Sequence, residues 1–406
     1  MAERQLVFID ASPQALVHRA NIYFPGFWKG TRMQHRLTSR RYLLGAGVTA
    51  VAGAVLLTAC GLGDAADEDP PPTKATTSRI ACAQKGQLPA SGSSAQQNAM
   101  AHWMREYQRA CPGVEIRYVP VGSGAGVAQF LRGATVLGGT DSALKPNEVE
   151  DSREVCPGGR AIDLPMVGGP IAIGYNVSGV ENLVLDAPTL AKIFNSEITT
   201  WDAPAIQRLN PGLRLPAIPI SALHRSDDSG TTQNLNAYLA GAAPDEWPYP
   251  KTKAWQAKGG NSAPGSDGVA TQVGATDGAI GYFELSFAKA GKIPTVRLDT
   301  GAPEPVAVSA ETASAGIAAG QVAGTGKDIT LKFDYSTKAA GAYPIVQVTY
   351  EIVCDKGTPA DVLPALKSFL TYTAGPEGQK DLPRIHYAPL PEAVADQVRT
   401  VIRTLS

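Results

Sequence analysis

The sequence has almost no excess of charge of either sign, since 36 Lys and Arg residues balance 37 Asp and Glu residues. After residue 79 it also lacks a cluster of basic residues with interleaved aromatics, the pattern typical of nucleic-acid-binding domains. The charge balance therefore implies no nucleic-acid partner. Any anion site must be local, formed by the placement of a few hydrogen-bond donors.

Histidine and cysteine are scarce as well, with five of each in 406 residues. The cysteine spacings fit no zinc pattern, so we expect neither a metal nor a cofactor. Four cysteines, Cys82, Cys111, Cys156 and Cys354, follow the N-terminal segment. An even number in an exported protein favours disulfides, for which three connectivities exist. Our guess pairs Cys111 with Cys156 and Cys82 with Cys354, and free thiols are the alternative.

The N-terminal part differs in composition from the rest of the chain. Basic residues precede an uncharged run of apolar and small residues at 43–59, which is typical of a secretory signal. The cysteine that follows, Cys60, resembles that of a bacterial lipobox, which is lipidated and becomes the mature N-terminus; a single transmembrane anchor is the alternative. Residues 39–44 resemble a twin-arginine signal, and the true start could be Met33. Residues 60–79 are acidic and Pro-rich, which predicts a disordered tether.

The rest of the chain has the patterns of a folded α/β protein. The sequence is 44% hydrophobic, and its length suits two domains. Short alternating runs are repeatedly followed by apolar residues at helical spacing, as at Met100, Trp103 and Tyr107. Strands that alternate with helices predict α/β lobes with parallel sheets.

The segment at 224–233 combines the features of an anion site. It lies between a predicted strand and a predicted helix, where free backbone N–H groups and the positive end of a helix dipole coincide. Arg225 adds a planar cation, and Ser229 and Thr231 add hydroxyls. The alternative is a simple helix cap by Ser229, with Arg225 paired to a neighbouring aspartate.

Three other loops hold the same position after a predicted strand, and they contain Ser94, Ser123 and Asp141. In α/β sheets, ligands bind beyond the carboxyl ends of the strands and at helix N-termini. The four loops together therefore predict one anion site, although each could be a plain turn or cap. The Gly-rich loop at 122–126 is not a P-loop, since no Gly-Lys-Ser/Thr follows it.

Six motifs give a more specific indication. They are Leu-Pro-Met-Val-Gly-Gly (164–169), Leu-Ala-Lys-Ile-Phe (190–194), Ile-Thr-Thr-Trp-Asp (198–202), Leu-Asn-Pro (209–211), Arg-Ser-Asp-Asp-Ser-Gly-Thr (225–231) and Gly-Ala-Ile-Gly-Tyr (278–282). This ordered set closely resembles PstS, the substrate-binding lipoproteins of phosphate ABC importers, in its actinobacterial form. The resemblance covers residues 80–405. It implies an α/β, two-lobed periplasmic-binding-protein fold of type II, in which the chain crosses between the lobes twice at a hinge.

The resulting domain organisation has five parts. They are an N-terminal extension and lipoprotein signal peptide (1–59), a disordered tether (60–79), the first part of lobe I (80–165), lobe II (166–344) and the second part of lobe I (345–406).

The resemblance also implies a phosphate site between the lobes. Transferred position by position, its ligands are Ser94, the backbone of Ala95, Ser123, Asp141, Arg225, Ser229, Gly230 and Thr231. Asp227 matches the acid that pairs with the arginine. The family often has Thr and a bulky apolar residue where this chain has Ser94-Ala95, so the register of that loop is open by one residue. Gly124 stands where Ser is common.

These features imply a binding protein and not an enzyme. It would bind inorganic phosphate and deliver it to the ABC permease subunits, as a monomer held by lipid on the extracytoplasmic face of the cell membrane. Asp141 would accept the proton that phosphate carries and thereby reject sulfate. The alternatives are a binder of another oxyanion, a phosphate sensor, and a secreted phosphate-ester hydrolase with Ser229 or Ser123 as nucleophile. The hydrolase needs a base, and His224 should face away from the side chain of Arg225 beside it.

Overall fold

The computed structural model describes residues 80–406. The predicted signal peptide, Cys60 and the tether lie outside this range. Among the helices of residues 80–406, none is both long and apolar enough to cross a membrane.

Strands and helices alternate along the described chain. The strands are β1 (Gly86–Gly92), β2 (Val114–Pro120), β3 (Leu137–Thr140), β4 (Ala161–Asn176), β5 (Val184–Asp186), β6 (Ser221–Arg225), β7 (Asn261–Ala263), β8 (Ala279–Glu284), β9 (Arg297–Asp299), β10 (Val306–Ala307), β11 (Gln321–Val322), β12 (Leu331–Lys332) and β13 (Val346–Cys354). The helices are α1 (Gln97–Ala110), α2 (Ser123–Leu131), α3 (Pro146–Asp151), α4 (Ala187–Phe194), α5 (Pro204–Leu209), α6 (Gly230–Ala242), α7 (Gly265–Ala275), α8 (Leu285–Ala290), α9 (Ala310–Ala318), α10 (Leu363–Thr373), α11 (Pro376–Gln379) and α12 (Glu392–Thr404). Two 3-10 turns lie at Ser152–Glu154 and Leu382–Ile385.

Eight of these strands form one sheet in the order β2-β1-β3-β13-β4-β8-β6-β7. The pairings are parallel at each end, from β2 to β3 and from β8 to β7. They are antiparallel in the centre, where β13 pairs with β3 and β4, and β4 pairs with β8. The predicted parallel pairing is therefore found at both ends of the sheet, whereas the centre, which the prediction did not include, is antiparallel. The reason is that β4 carries the chain from one part of the sheet to the other and β13 carries it back beside β4, so the two strands run in opposite directions.

Two large hydrophobic clusters share this central pair of strands at different positions along its length. In β4, Ile162 and Leu164 belong to one cluster, whereas Ile171 and Ile173 belong to the other. Strand β13 makes the reverse passage, from Val346 in the second cluster to Val353 in the first. The chain thus crosses between two cores twice, which confirms the predicted two-lobed fold with two crossovers.

The predicted apolar face of α1 is buried as expected. Met100, Trp103 and Tyr107 are all within 1% of complete burial. They pack in the first cluster with residues of α10 such as Phe369, whose ring meets that of Tyr107 edge-on at 5.3 Å between centroids. This spacing of apolar residues is therefore what fixes α1 against the sheet.

All four cysteines are in disulfides, but our pairing is wrong. Cys82 bonds Cys111, and Cys156 bonds Cys354, each pair with Cα atoms 5.3 Å apart. The first bridge joins the entry of β1 to the end of α1, because those two chain segments meet beside the hydrogen bond from Gly86 N to the Gly113 carbonyl. The second joins the end of β13 to the segment before β4, which follows from the antiparallel pairing of those strands.

Candidate functional site

Arg225 is the last residue of β6, and only 2% of its surface is exposed. Its Nε and Nη2 donate to the two carboxylate oxygens of Asp227 at 2.7 and 2.5 Å, and its Nη1 donates to Ser266 Oγ at 3.2 Å. Burial opposes the charge on Arg225, but the hydrogen bonds and charge of Asp227 raise its pKa above the ordinary value. The cation is therefore fixed in place before any ligand arrives.

The loop after β6 ends at the N-terminus of α6. Ser229 caps this helix, since its Oγ accepts from Thr232 N at 3.2 Å. Both features of the simpler interpretation, the cap and the arginine–aspartate pair, are thus present. They do not compete with an anion site, because the N–H groups of Gly230 and Thr231 in the first turn have no acceptor within the helix.

Asp141 follows β3 and is 3% exposed. Its Oδ2 accepts from Ser93 Oγ at 2.7 Å and Ser123 Oγ at 3.0 Å, and its Oδ1 accepts from Thr349 Oγ1 at 2.7 Å. Burial raises the pKa of Asp141, while these three hydrogen bonds and the charge of Arg225 partly offset that rise. The carboxylate is therefore surrounded by hydroxyl groups, each of which can rotate so that its hydrogen is donated to another acceptor.

The loop that follows β1, here called the first loop, contains two serines with different partners. Ser93 donates to Asp141 and accepts from Ala95 N at 3.0 Å. Ser94 Oγ instead accepts from Ser266 N at 3.0 Å. Sequence reasoning named Ser94 and left the register open by one residue; the structure places Ser93 beside the acid and Ser94 beside the hydroxyl that Arg225 contacts.

The loops that contain the predicted ligands meet at one place. A methyl group on Gly230 would lie 2.5 Å from Asp141 Cβ and 2.7 Å from Ser123 Oγ, so the start of α6 lies against the residue that follows β3 and the first residue of α2. Gly124 N donates to the Asp228 carbonyl at 2.9 Å across the same boundary. Segments far apart in sequence therefore converge, as the four-loop hypothesis requires.

Several residues at this place were missed by sequence reasoning. They are Ser93, Asn234, Ser266, Glu284, Gln347 and Thr349. Thr349 and Gln347 lie on one face of β13, and polar residues alternating along an otherwise apolar strand were the available signal. Asn234 lies one turn into α6 and donates to the Asp141 carbonyl at 2.8 Å, a contact that no local pattern indicates.

Within residues 80–406, no histidine side chain is hydrogen-bonded to the hydroxyls around Asp141. His224 stacks on Trp255 with ring centroids 4.9 Å apart, and its Nδ1 lies 3.0 Å from the Arg225 carbonyl. His102 contacts Arg105. Across the same residues, no group of three or more His, Cys, Asp or Glu side chains is placed to hold a metal.

The fold and the converging loops define a two-lobed binding protein, and the comparisons agree. Residues 77–377 match the family described as a PBP superfamily domain. The phosphate-binding protein PstS 3 of Mycobacterium leprae is 41% identical over 366 residues, covering 89% of this chain and 98% of that protein. The phosphate-binding protein PstS 2 of Mycobacterium tuberculosis is 40% identical over 360 residues, with coverage of 87% and 96%.

Among solved structures, a high affinity periplasmic phosphate-binding protein bound with phosphate shares the fold. It has a TM-score of 0.63 and 23% identity, and the match covers 77% of this chain and 93% of that one. The chain belongs to the PstS family of phosphate-binding proteins. Membership in a family of binding proteins supports the expectation that it is not an enzyme.

Proposed function

We propose that this protein is the extracytoplasmic substrate-binding component of an ABC importer, which binds inorganic phosphate between its lobes and delivers it to the permease. The observation that carries the proposal is the convergence of Arg225, the N-terminus of α6 and the hydroxyls around Asp141 in one buried place. The names of the relatives support phosphate as the ligand.

The proposed ligand set is the one that the resemblance implied. It comprises Ser94, Ala95, Ser123, Asp141, Arg225, Ser229, Gly230 and Thr231, and we add Ser93. A buried anion must regain in hydrogen bonds what it loses in hydration, and charge-assisted bonds are the strong ones. The hydroxyls that now donate to Asp141 can rotate to donate to phosphate. The N–H of Ala95 donates to Ser93 Oγ, so it would have to be shared between that oxygen and the anion.

Asp141 is the residue that should separate phosphate from sulfate. A carboxylate facing an oxyanion is repulsive unless a proton lies between them, and phosphate carries a proton near neutral pH where sulfate does not. The substitution Asp141→Asn should therefore reduce the phosphate-over-sulfate affinity ratio by about 100-fold or more.

Isothermal titration calorimetry of the full chain against phosphate, arsenate, sulfate and phosphonates tests both the ligand and this role. The matched control is Asp186→Asn, because Asp186 caps α4 through Thr189 N and an asparagine can do the same. An unchanged ratio in Asp141→Asn would remove the specificity role. A wild-type chain that does not bind phosphate would remove the proposed function.

We also propose the lobe limits 80–165, 166–344 and 345–406, with hinge closure of the lobes around the anion. Ligand binding would shift the population from open to closed, and the closed surface would be the one presented to the permease. Small-angle X-ray scattering with and without phosphate measures this: a smaller radius of gyration with phosphate is expected, and an unchanged radius would contradict closure.

Attachment to the membrane remains a proposal of its own. A signal peptide in residues 1–59 and lipidation of Cys60 would hold a monomer at the cell surface through residues 60–79. In a bacterial host, the Cys60→Ala variant should move from the membrane fraction to the soluble fraction, and mass spectrometry of the wild-type N-terminal peptide should show the lipid. Light scattering checks the monomer. Equal membrane retention of both forms would favour a transmembrane anchor.

A further inference from the structure

Glu284 is a completely buried acid beside the proposed site, and none of the roles described so far involves it. It ends β8, and none of its surface is exposed. Its Oε1 accepts from Thr231 Oγ1 at 2.8 Å and from Gln347 Nε2 at 3.1 Å. Its Oε2 is buried without a hydrogen-bond partner among the described residues. An ionised carboxylate with one unpaired oxygen in such a place is costly, so the second oxygen needs an explanation.

The single hydrogen of the Thr231 hydroxyl links this question to the protonation state of Glu284. A threonine hydroxyl has one hydrogen and two acceptor lone pairs. When Glu284 is ionised, this hydrogen is donated to Oε1, and only lone pairs of Thr231 face other partners. Lone pairs repel an anion. When Glu284 carries a proton, its own O–H can donate to Thr231 Oγ1, and the threonine hydrogen is available to the anion.

The charges around Glu284 favour the protonated form. Arg225 is already matched by Asp227, and Asp141 adds a negative charge before any anion enters. The charged and titratable groups that act on Glu284 from the neighbouring elements are Asp141, Arg225 and Tyr387. Burial and the charge of Asp141 raise the pKa of Glu284, while the hydroxyls of Ser266 and Thr231 and the charge of Arg225 only partly offset that rise. Binding an anion nearby adds to the same effect.

We propose that Glu284 is a positioning residue for the bound anion: as a neutral acid it donates to Thr231 Oγ1, so that the Thr231 hydroxyl donates to phosphate. This rests on the proposed phosphate site. It makes Thr231 a donor only when its buried neighbour is protonated. The affinity for phosphate should then fall as the pH rises through the folded-state pKa of Glu284, because ionised Glu284 takes back the hydrogen of Thr231.

The test is the phosphate affinity of the full chain, measured by calorimetry at a series of pH values from mildly acidic to alkaline. In Glu284→Gln the amide can donate to Thr231 Oγ1 at every pH. Its affinity near neutral pH should stay within about 3-fold of wild type, and the fall at high pH should be smaller than in wild type. Thr231→Val should weaken binding by about 10- to 100-fold and flatten the same fall.

Asp163→Asn is the control, because Asp163 is a second buried acid whose pKa is raised to about 8, and the charges that act on it are those of Asp328, Lys253 and Glu148 and not those of the site. This variant should keep the high-pH fall of wild type. Parallel profiles of wild type and Glu284→Gln would overturn the inference while leaving phosphate binding intact, and so would loss of binding in a folded Glu284→Gln. Absence of phosphate binding in wild type at every pH would instead overturn the proposed function.

A measurement on the wild type alone can overturn the inference if Glu284→Gln does not fold. Calorimetry in two buffers with different ionisation enthalpies gives the number of protons taken up on binding. Near the upper end of the pH range, uptake of protons is expected, since Glu284 regains its proton when phosphate binds. No uptake would overturn the inference.

Discussion

The substitution Gly230→Ala tests whether the site depends on close approach of its two sides. Gly230 begins α6, and an added Cβ would lie 2.5 Å from Asp141 Cβ, 2.7 Å from Asp141 Oδ2 and 2.7 Å from Ser123 Oγ. Ordinary contact begins at 3.4 Å, so the two sides would have to separate by about 0.9 Å, the difference between 3.4 and 2.5 Å. Cβ and a short buried side chain cannot yield as the end of a flexible side chain can.

The size of the expected loss in phosphate affinity follows from the sensitivity of a buried site to such a shift. Displacing binding groups by about 1 Å can cost about 100-fold. We therefore expect Gly230→Ala to weaken phosphate binding by about 100-fold, or about 2.7 kcal/mol. The stability of the phosphate-free protein should change by less than about 1 kcal/mol, because separation of the two sides relieves the clash.

Calorimetry of phosphate binding and denaturant unfolding without phosphate measure the two quantities. The matched control is Gly241→Ala in the same helix, where the nearest atom to the added Cβ is Tyr335 Cβ at an ordinary 3.6 Å. This control should bind phosphate normally and be more stable by about 0.5–1 kcal/mol. Wild-type affinity in Gly230→Ala would refute the close approach.

Two further predictions concern stability. By the chain-entropy relation, loss of the Cys156–Cys354 bridge, which spans 198 residues, should lower the free energy of unfolding by about 5 kcal/mol, and loss of Cys82–Cys111, which spans 29, by about 4 kcal/mol. Guanidinium unfolding of the two double-serine variants measures both losses. A larger loss for Cys82–Cys111 would contradict this account. Burial and the charge of a neighbouring aspartate raise the pKa of Asp163 to about 8 from 3.8. Its stabilising neutral form is therefore lost as the pH rises through this range. The Asp163→Asn variant should lose less stability than wild type between about pH 5 and 8 in urea unfolding, and equal losses would refute this.

The convergence of the four loops was predictable in outline because their polar groups lie where the chain turns from strand to helix. The segment from Arg225 to Thr231 carries its chemistry locally, so both the pairing with Asp227 and the cap by Ser229 follow from nearest neighbours. The burial of Trp103 likewise follows from the spacing of apolar residues along α1. Local pattern was sufficient wherever the partner lies within a few residues.

The remainder depends on contacts between distant segments. Thr349 reaches Asp141 across 208 residues because β13 lies beside β3, and nothing near either residue indicates that neighbour. The pairing of β13 with distant strands likewise decides the Cys156–Cys354 disulfide and the antiparallel centre of the sheet. The register of the first loop is a finer case: Ser93 and Ser94 are chemically identical, and only the geometry of the chain decides which one meets the acid.

The first hydrophobic cluster joins both ends of the described chain, with Trp103 near one end and Phe369 and Val398 near the other. During synthesis, that core cannot be completed until the last helices have left the ribosome. The second cluster is built mainly from residues between Ile171 and Tyr350 and lacks only a few C-terminal contacts at that stage. Deletion of α12 should therefore remove part of the apolar surface that completes the core around the earliest part of the folded chain, since Val398 and Ile402 belong to the first cluster.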